Sequence, residues 1–505
     1  GPHQGLQEGR GRAGKAVCPG QEVQRQLVGN QQPAQGEQED PARGIAYATK
    51  FEASDDDVAD AIANAKEGQK EWGALTGGQR SKVLLKAAEI LHSKVDLFAR
   101  LECLDTARPF NETLYGDIDS ATDCLEYMAR EAGNAMNGHH VPLAGGSWGY
   151  TTRQPLGVCA GIGAWNYPLQ SAAWKSAAAL AAGNAMVFKP APQTPLTAIE
   201  LGKVYLEAGV PRGVFNVVLG ESRVGNILSS HTDIKKVSFT GSVNTGKAVY
   251  AKAAESLKPV TMELGGKSPL IVFDDADLED AVSGAMMGNW YSNGEVCSNG
   301  TRVYVQEGIK ERFVERLIER TNRIKIGDPM RMDTQIGALI SEQHMNKVLQ
   351  YIELGVAEGA ELIQGGGIRK NDLDGELSNG YFLTPAIFDN CCDDMTIAKE
   401  EIFGMVMSVF SFSEDDEVVS RANNSPFGLS AGVFTSDIRR AHRVAHQVEA
   451  GNVWINNYNL APVELPWLGT KNSGLGYENG MHCLDQWSKQ KGIYVEMGQI
   501  DSSFE

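Results

Sequence analysis

Residues 157–190 read GVCAGIGAWNYPLQSAAWKSAAALAAGNAMVFKP. The apolar run Val158–Ile162 opens this stretch, a helical pattern covers 171–182, and a second apolar run covers 185–188. Short apolar runs favour buried strands, and a helix between two of them is typical of a right-handed βαβ unit. The stretch therefore predicts one such unit in a parallel sheet.

The same alternation continues towards the C-terminus. Further apolar runs that predict strands lie at 214–219, 237–239, 260–264 and 270–273. Helical patterns separate them, and a second alternation of helices and strands fills 311–455. The sequence therefore predicts an α/β fold, with a doubly wound parallel sheet followed by a second α/β unit.

Two strand-like segments, 147–152 and 492–497, stand outside both units and alternate like edge strands. Edge strands carry unpaired backbone groups that pair readily with other strands. We expect these two segments to form a small β element that pairs between subunits.

Composition excludes several classes of protein. The chain has 505 residues, of which 42% are hydrophobic and 22% charged, as in ordinary globular proteins. The formal net charge of −18 disfavours nucleic acid and anionic lipid as partners. The longest nearly apolar run, 176–188, is shorter than the roughly 20 residues of a membrane helix.

The first 43 residues are rich in Gln, Gly, Glu and Arg and show almost no apolar periodicity. Such a composition is typical of disordered segments. We therefore predict a disordered or divergent extension over 1–43, without the apolar segment of a cleaved secretory signal.

The chain contains eight cysteines, with no Cys-x-x-Cys pair among them. They are too sparse for a disulfide framework, which favours a cytoplasmic location. No His cluster accompanies them, so no metal site is predicted. A functional thiol would therefore act as a nucleophile.

Three generic motifs are present only in part. Residues 145–149 read GGSWG, but the strand and helix that flank a hydrolase serine are not predicted there. Residues 266–268 read GKS without the first glycine of a phosphate loop, and the glycines at 161 and 163 lack the third glycine of a dinucleotide fingerprint. None of the three predicts a function.

Four other segments carry residues that could form one active site, with a nucleophile, a carboxylate, an amide donor and a site for a pyrophosphate. Cys297 lies among Gly, Ser and Asn, which leave a thiol accessible to substrate. Glu263 ends a strand-like run, and Asn166 follows another, where open α/β sheets place their ligands. Residues 239–246 read FTGSVNTG, a strand, turn and helix start suited to a pyrophosphate.

Together with Lys189-Pro190 and the sequence EEIFG at 400–404, these segments resemble the NAD(P)-dependent aldehyde dehydrogenase superfamily. The resemblance covers about residues 45–505. It is nearest to the branch of 4-trimethylaminobutyraldehyde and betaine-aldehyde dehydrogenases, on the sequences CSNGTR at 297–302, INNYN at 455–459, PVELP at 462–466 and VEMG at 495–498.

The resemblance implies the domain organisation. An NAD-binding domain would comprise 44–136 and 156–264, a catalytic domain 265–483, and an oligomerisation element 137–155 and 484–505. It also implies a homotetramer or a dimer.

The resemblance further implies the catalytic roles. The Cys297 thiolate would attack the aldehyde to give a thiohemiacetal, and loss of hydride to the nicotinamide would leave a thioester. Asn166 and the Cys297 backbone N–H would bind the oxyanion, and Glu263 would be the general base for hydrolysis. Glu478 would help the proton to leave.

Cofactor residues are implied in the same way: Trp165, Lys189, Gly241, Ser242, Gly246, Leu264, Glu401 and Phe403. Many NAD-preferring relatives carry an acid three residues after the lysine, where this chain has Pro192. The expected cofactor is NAD, and NADP is not excluded.

The substrate is expected to be a trimethylammonium aldehyde, as in carnitine biosynthesis, or another aliphatic aldehyde or aminoaldehyde. Its tunnel would be lined by five aromatic residues able to surround a quaternary ammonium: Tyr167, Trp174, Tyr291, Tyr458 and Trp467. The alternatives are a semialdehyde dehydrogenase and a catalytically inactive structural or binding protein on the same fold.

Four residues depart from the family pattern outside the nucleophile and base: Met405, Leu468, Thr470 and Tyr477. They leave the expected activity unchanged, but they can alter the tunnel and the subunit contacts.

Overall fold

A computed structural model describes residues 35–368, 373 and 375–504. Its strands form a six-stranded sheet, a seven-stranded sheet, a three-stranded sheet and two small pairs. In chain order the strands are β1 Gln35–Asp40, β2 Ile45–Phe51, β3 His140–Pro142, β4 Trp148–Pro155, β5 Val158–Ile162, β6 Ala185–Lys189, β7 Phe215–Val217, β8 Ile234–Thr240, β9 Val260–Glu263, β10 Pro269–Val272, β11 Arg302–Gln306, β12 Glu361–Gln364, β13 Ala386–Asp389, β14 Val406–Phe412, β15 Phe427–Gly428, β16 Ser430–Phe434, β17 Asn452–Ile455, β18 Thr470–Lys471, β19 Gly474–Leu475 and β20 Ser488–Val495.

The six-stranded sheet confirms the first predicted unit. Its order is β19-β9-β8-β5-β6-β7, and all its pairs are parallel except β19 with β9. The chain runs outward from β5 through β6 to β7 and then returns to the other side of β5 as β8 and β9. Open α/β sheets bind ligands where the strand order reverses in this way, at the carboxyl ends of the strands.

The seven-stranded sheet has the order β12-β13-β14-β11-β10-β16-β17 and is parallel except at β12. It confirms the second α/β unit. Two strands of this sheet, β11 and β14, were not predicted, although they pair with each other between β13 and β10. Their buried side chains belong to one large core that both faces of the sheet share.

Helices cover both sheets. The α-helices are Asp55–Ala74, Gly77–Ser93, Val95–Thr106, Phe110–Glu112, Ile118–Ala135, Pro168–Ala181, Leu196–Ala208, Ser222–Ser230, Val243–Ala254, Leu278–Met287, Glu307–Thr321, Glu342–Ala357, Thr396–Lys399, Asp415–Asn423, Ile438–Gln447 and Cys483–Gln486. A π-helical turn covers Thr113–Asp117, and 3-10 turns cover Ala144–Gly146, Tyr291–Gly294 and Gly375–Asn379.

The three-stranded sheet has the order β20-β4-β3. The predicted edge segments are thus strands, but they pair antiparallel with each other inside one chain, from Ser488 opposite Pro155 to Val495 opposite Trp148. β19 also differs from the prediction. Its residues, Gly474–Leu475, lie within the predicted catalytic domain, but the strand pairs with β9 of the six-stranded sheet.

The N-terminal prediction needs a correction at its boundary. Residues 1–34 lie outside the described part of the chain, but Gln35–Asp40 form β1 and pair with β2. The segment reads QGEQED and is held by polar contacts: Gln38 is buried and donates to Asp105 Oδ1 at 2.9 Å. Residues 35–43 are therefore part of the fold.

Within the described residues, none of the helices has the length and apolar character needed to cross a membrane.

Candidate active site

A cavity of about 830 Å³ opens at the carboxyl ends of the six-stranded sheet. The ends of four strands bring residues to it: Lys189 ends β6, Glu263 ends β9, Gly241 directly follows β8, and Asn166 follows β5. Cys297 reaches the same cavity from the other sheet. The structure thus brings together all three residues predicted to be catalytic, and we call this space the main cavity.

The loop that carries Cys297 runs from the turn Tyr291–Gly294 to β11. Two consecutive residues in that turn, Ser292 and Asn293, have φ of 52° and 56°, in the left-handed region that costs energy for residues other than glycine. Neighbouring groups hold the turn, since Asn293 Nδ2 donates to Ala338 O at 2.8 Å and to Ala107 O at 3.2 Å. The thiol therefore sits on a rigid support.

Burial raises the pKa of the Cys297 thiol to about 12, and the charges of Glu401 and Glu263 add to the rise. Two backbone N–H groups, those of Cys297 and Ser298, act in the opposite direction. The thiol is therefore protonated at neutral pH in the unliganded protein, and its nucleophilic form needs a nearby positive charge.

Asn166 is buried beside this loop, and its Nδ2 donates to Glu295 O at 2.9 Å, two residues before the thiol. Its own backbone carbonyl accepts from Arg108 Nη1 at 3.2 Å. An amide nitrogen has two N–H donors, so one donor fixes the loop and the other is free for a ligand.

Glu263 is buried, and neither of its carboxylate oxygens has a hydrogen-bond partner among the described residues. Burial raises its pKa well above the ordinary value, with a further rise from the charge of Glu478. An unpaired carboxyl of high proton affinity that opens into a cavity is suited to general-base chemistry.

Lys175 and Glu478 form a buried ion pair behind Glu263. Lys175 Nζ lies 2.8 Å from Glu478 Oε1, and Ser238 Oγ contacts both groups at 2.9 Å. Sequence reasoning selected Glu478 but missed Lys175. The available signal was that Lys175 is the one charged residue of the helix Pro168–Ala181.

The helix Val243–Ala254 points its N-terminus at the main cavity. Ser242 caps it by accepting from Thr245 N, and both residues line the cavity. Gly246 does not line it. A Cβ atom there would overlap Leu264, so this glycine acts by letting Leu264 pack against the helix. A helix N-terminus presents free N–H groups to an anion.

Glu401 and Phe403 close the other end of the main cavity, together with Trp165. Glu401 Oε1 accepts from Gly266 N at 3.1 Å, and burial raises the pKa of this carboxyl to about 7. A Cβ atom on Gly265 would overlap the Glu401 carboxylate, so only glycine permits this approach. Trp165 packs edge-on against Phe403, with ring centroids 5.1 Å apart.

His344 also lines the main cavity and was missed by sequence reasoning. Its Nε2 lies 2.7 Å from Phe403 O, and burial lowers its pKa to about 4. The ring is therefore neutral and donates to that carbonyl, which fixes Phe403 in its left-handed conformation with φ of 62°. A histidine in a long amphipathic helix carries no distinguishing signal in the sequence.

Comparison with known proteins decides the family. A profile of the aldehyde dehydrogenase family matches residues 28–493. The chain belongs to the aldehyde dehydrogenase family. The resemblance and the fold class that the sequence predicts are both confirmed.

Individual relatives support the same family assignment. The chain is 54% identical to a betaine aldehyde dehydrogenase of Brucella anthropi over 464 residues, which are 92% of this chain and 94% of that protein. A betaine aldehyde dehydrogenase of Sinorhizobium fredii is 53% identical over the same shares.

Solved structures agree as well. An aldehyde dehydrogenase of Bacillus cereus in complex with NAD+ superposes with a TM-score of 0.89 at 40% identity, over 92% of this chain and 94% of that chain. A betaine aldehyde dehydrogenase of Staphylococcus aureus in complex with NAD+ gives 0.90 at 36% identity, over 93% and 94%.

In this aldehyde dehydrogenase, the five aromatic residues predicted to line the tunnel do not lie together around one space. None of them lines the main cavity. Trp174 and Trp467 contact each other with ring centroids 6.2 Å apart. Tyr167 stacks under Arg108, whose guanidinium carbon lies 4.1 Å from the ring centroid, and the charge of Arg108 also acts on Tyr291.

Tyr458 requires a correction. Its side chain is buried in the core of the seven-stranded sheet, at 1% exposure, and its hydroxyl donates to Ser298 O at 2.8 Å. Gly300 leaves the space for the hydroxyl, since a Cβ atom there would lie 2.7 Å from it. Tyr458 therefore supports the nucleophile loop from behind and forms no tunnel wall.

Proposed function

We propose that this protein is an NAD-dependent aldehyde dehydrogenase that oxidises aldehydes to carboxylic acids and favours trimethylammonium aldehydes. One observation carries the proposal: Cys297 and Glu263 open into the same cavity as Lys189 and the N-terminus of the helix Val243–Ala254. A nucleophile, a base and an anion site in one space suit oxidation with a dinucleotide cofactor.

The residues present fit NAD. The free N–H groups at the capped helix start suit the pyrophosphate, and Lys189 and Ser242 suit the adenosine side. Glu401, which fits against Gly265, suits the nicotinamide ribose. NAD supplies the hydride acceptor, and its cationic ring lowers the pKa of a nearby thiol. Residues 44–136 and 156–264 would form the cofactor domain and 265–483 the catalytic domain.

The chain's own residues then account for the chemistry. The Cys297 thiolate adds to the aldehyde carbon, and the free N–H of Asn166 and the Cys297 backbone N–H bind the oxyanion. Such a donor is typically worth about 2.7 to 4 kcal/mol in the transition state. The carbonyl re-forms as the same carbon gives up its hydride, which leaves a thioester on Cys297.

Hydrolysis of the thioester returns Cys297 to its starting state. Glu263 takes a proton from water, and the resulting hydroxide adds to the thioester carbon and expels the thiolate. The Glu478 carboxylate, held by Lys175 and Ser238, can receive the proton from Glu263.

Three features support a cationic substrate. The two relatives named above are betaine aldehyde dehydrogenases. Trp174 and Trp467, which lie outside the main cavity, pack against each other and are aromatic rings of the kind that bind a quaternary ammonium. Glu464, three residues before Trp467 in the chain, is exposed, and its charge raises the pKa of Asp123. The surface that carries these two carboxylates is therefore acidic. An anionic semialdehyde would meet repulsion there.

A panel of aldehydes tests the proposal. Betaine aldehyde and 4-trimethylaminobutyraldehyde should give higher kcat/KM with NAD than hexanal, succinic semialdehyde or 3,3-dimethylbutanal, the uncharged isostere of betaine aldehyde. Equal kcat/KM for the charged aldehyde and its isostere would refute the cation preference. Absence of turnover, or full turnover by Cys297→Ser, would refute the proposed enzyme itself.

We also propose a cytoplasmic homotetramer or dimer that acts in carnitine biosynthesis. The strands β3, β4 and β20 would form its oligomerisation element, since Tyr494 and Val141 leave apolar side chains exposed on this sheet. Light scattering of the full chain measures the mass, and a monomer would contradict the proposal.

A further inference from the structure

A side pocket of about 130 Å³ adjoins the main cavity at the Lys189 end. The two spaces share three lining residues, Ala191, Pro192 and Glu221. The rest of the side pocket includes Lys50 and Glu52, from the end of the N-terminal β1–β2 hairpin and the residue after it. A cofactor bound at Lys189 would therefore meet charged groups from a part of the chain that sequence reasoning had not connected with binding.

Two further cations near Lys189, those of Lys50 and Arg223, already have partners. Lys50 Nζ donates to Pro192 O at 2.5 Å and to Gln38 Oε1 at 3.2 Å. Arg223 Nη2 lies 3.5 Å from Glu52 Oε1, and the Arg223 guanidinium also pairs with Asp55. Neither group is free to receive an additional phosphate without losing these contacts.

Glu221, unlike Lys50 and Arg223, has a charged group without a hydrogen-bond or ion-pair partner among the residues that the structure describes. Its backbone is nevertheless held in place: Glu221 is the N-cap of the helix Ser222–Ser230, and its backbone N–H donates to Glu52 Oε1 at 3.1 Å. The helix N-terminus favours a negative charge at this place. Burial lowers the pKa of Lys189 to about 8, and Glu221 is the first of the charges that oppose this fall.

We propose that Glu221 selects NAD over NADP, by accepting a hydrogen bond from the 2′-hydroxyl of the adenosine ribose and repelling a 2′-phosphate. It would supply from the loop after β7 the carboxylate that other NAD-preferring relatives carry three residues after the lysine, where this chain has Pro192. The inference rests on the proposed NAD function.

Electrostatics sets the size of the effect. A phosphate monoester carries about −1.5 to −2 charges at pH 7. Its repulsion by one carboxylate near a protein surface is worth about tenfold in affinity, and salt weakens it.

The test measures binding and turnover separately. NAD+ and NADP+ are titrated into Cys297→Ala protein, with and without Glu221→Gln, by isothermal calorimetry. Values of kcat/KM for both cofactors are measured in the Cys297 enzyme. Glu71→Gln is the matched control, since Glu71 is an exposed acid outside both cavities.

Glu221→Gln should lower the preference for NAD by about tenfold in both measurements, with a smaller effect at 0.5 M NaCl than at 0.05 M. Pro192→Glu added to Glu221→Gln should restore the preference. An unchanged preference, or the same change in Glu71→Gln, would overturn the inference while the proposed dehydrogenase stood. Wild-type preference for NADP would overturn it as well.

If Glu221→Gln unfolds, Glu221→Ala serves instead, because the side chain is exposed. Loss of turnover with every aldehyde, while the cofactor preference changes as stated, would refute the proposed activity and leave the role of Glu221 supported. The two failures are thus distinguishable.

Discussion

Lys175 Nζ lies 2.8 Å from Glu478 Oε1 inside the protein, where each side chain is 1% exposed. The second carboxylate oxygen of Glu478 has no hydrogen-bond partner among the described residues. After burial, the charge of Glu478 is the largest influence that raises the pKa of Glu263. Burial therefore dominates the proton affinity of the proposed base, and the charges of Glu478 and Lys175 adjust it in opposite directions.

Glu478→Gln should shift the pH profile of kcat/KM. The base works when ionised, so activity rises with pH through the pKa of Glu263. Loss of the neighbouring negative charge lowers that pKa, and the acid limb should move to lower pH. Rates from pH 5 to 9 with betaine aldehyde measure the shift. An acid limb that stays in place, in a variant with wild-type thermal unfolding, would contradict the coupling.

Alkylation measures the state of Cys297. Because the thiol pKa is raised to about 12, the rate of reaction with iodoacetamide should rise about tenfold per pH unit from pH 7 to 10 without levelling off. NAD+ should speed the reaction at pH 7, since a cation lowers the pKa. Cys297→Ser gives the background from the exposed Cys392. A plateau below pH 9 without cofactor would contradict the raised pKa.

The ends of the strands in the six-stranded sheet were predictable from the sequence. An apolar run as short as Val158–Ile162, followed by a helical pattern and a second run, favours a buried strand, and a parallel sheet gathers the carboxyl ends of its strands at one edge. Lys189, Glu263 and Asn166 were accordingly found together. Cys297 joined them by resemblance, because nothing local indicates that its loop crosses from the second sheet.

The remaining features depend on partners distant in the chain. β1 is polar throughout, so periodicity could not reveal a strand that is held by Gln38 and Asp105. Lys175 pairs with Glu478, which lies 303 positions away in the sequence. Tyr458 could not be assigned to core or wall, since an aromatic residue suits both places equally until the packing is known.

Gly265→Ala should weaken NAD binding. A Cβ atom at this position would overlap the Glu401 carboxylate, which must then leave its place 3.1 Å from Gly266 N. The KM for NAD should rise at least about tenfold, as expected when a charge-assisted hydrogen bond is lost. Gly133→Ala is the control, because nothing lies within 4 Å of a Cβ there. A KM for NAD within twofold of wild type would contradict the assigned role of Glu401.

Arg108→Met should destabilise the protein strongly. The guanidinium is fully buried and pairs through both terminal nitrogens with Asp117, with Nη2 lying 2.9 Å from Oδ1. It also donates to Asn166 O and stacks on Tyr167. Removal of one partner from a buried ion pair typically costs about 3 to 5 kcal/mol, since the remaining charge has no compensation.

The thermal midpoint of Arg108→Met should fall by several degrees, measured at a fixed scan rate because large proteins often unfold irreversibly. Replacement of both partners, Arg108→Met with Asp117→Leu, should recover part of the loss because no buried charge is left unpaired. The opposite outcome is that the thermal midpoint of the double variant falls by the sum of the falls in the two single variants. In that case packing against Tyr167 and Asn166 stabilises this region, and the ion pair does not. Turnover should stay low in both cases, since each lacks the contact that holds Asn166 beside Cys297.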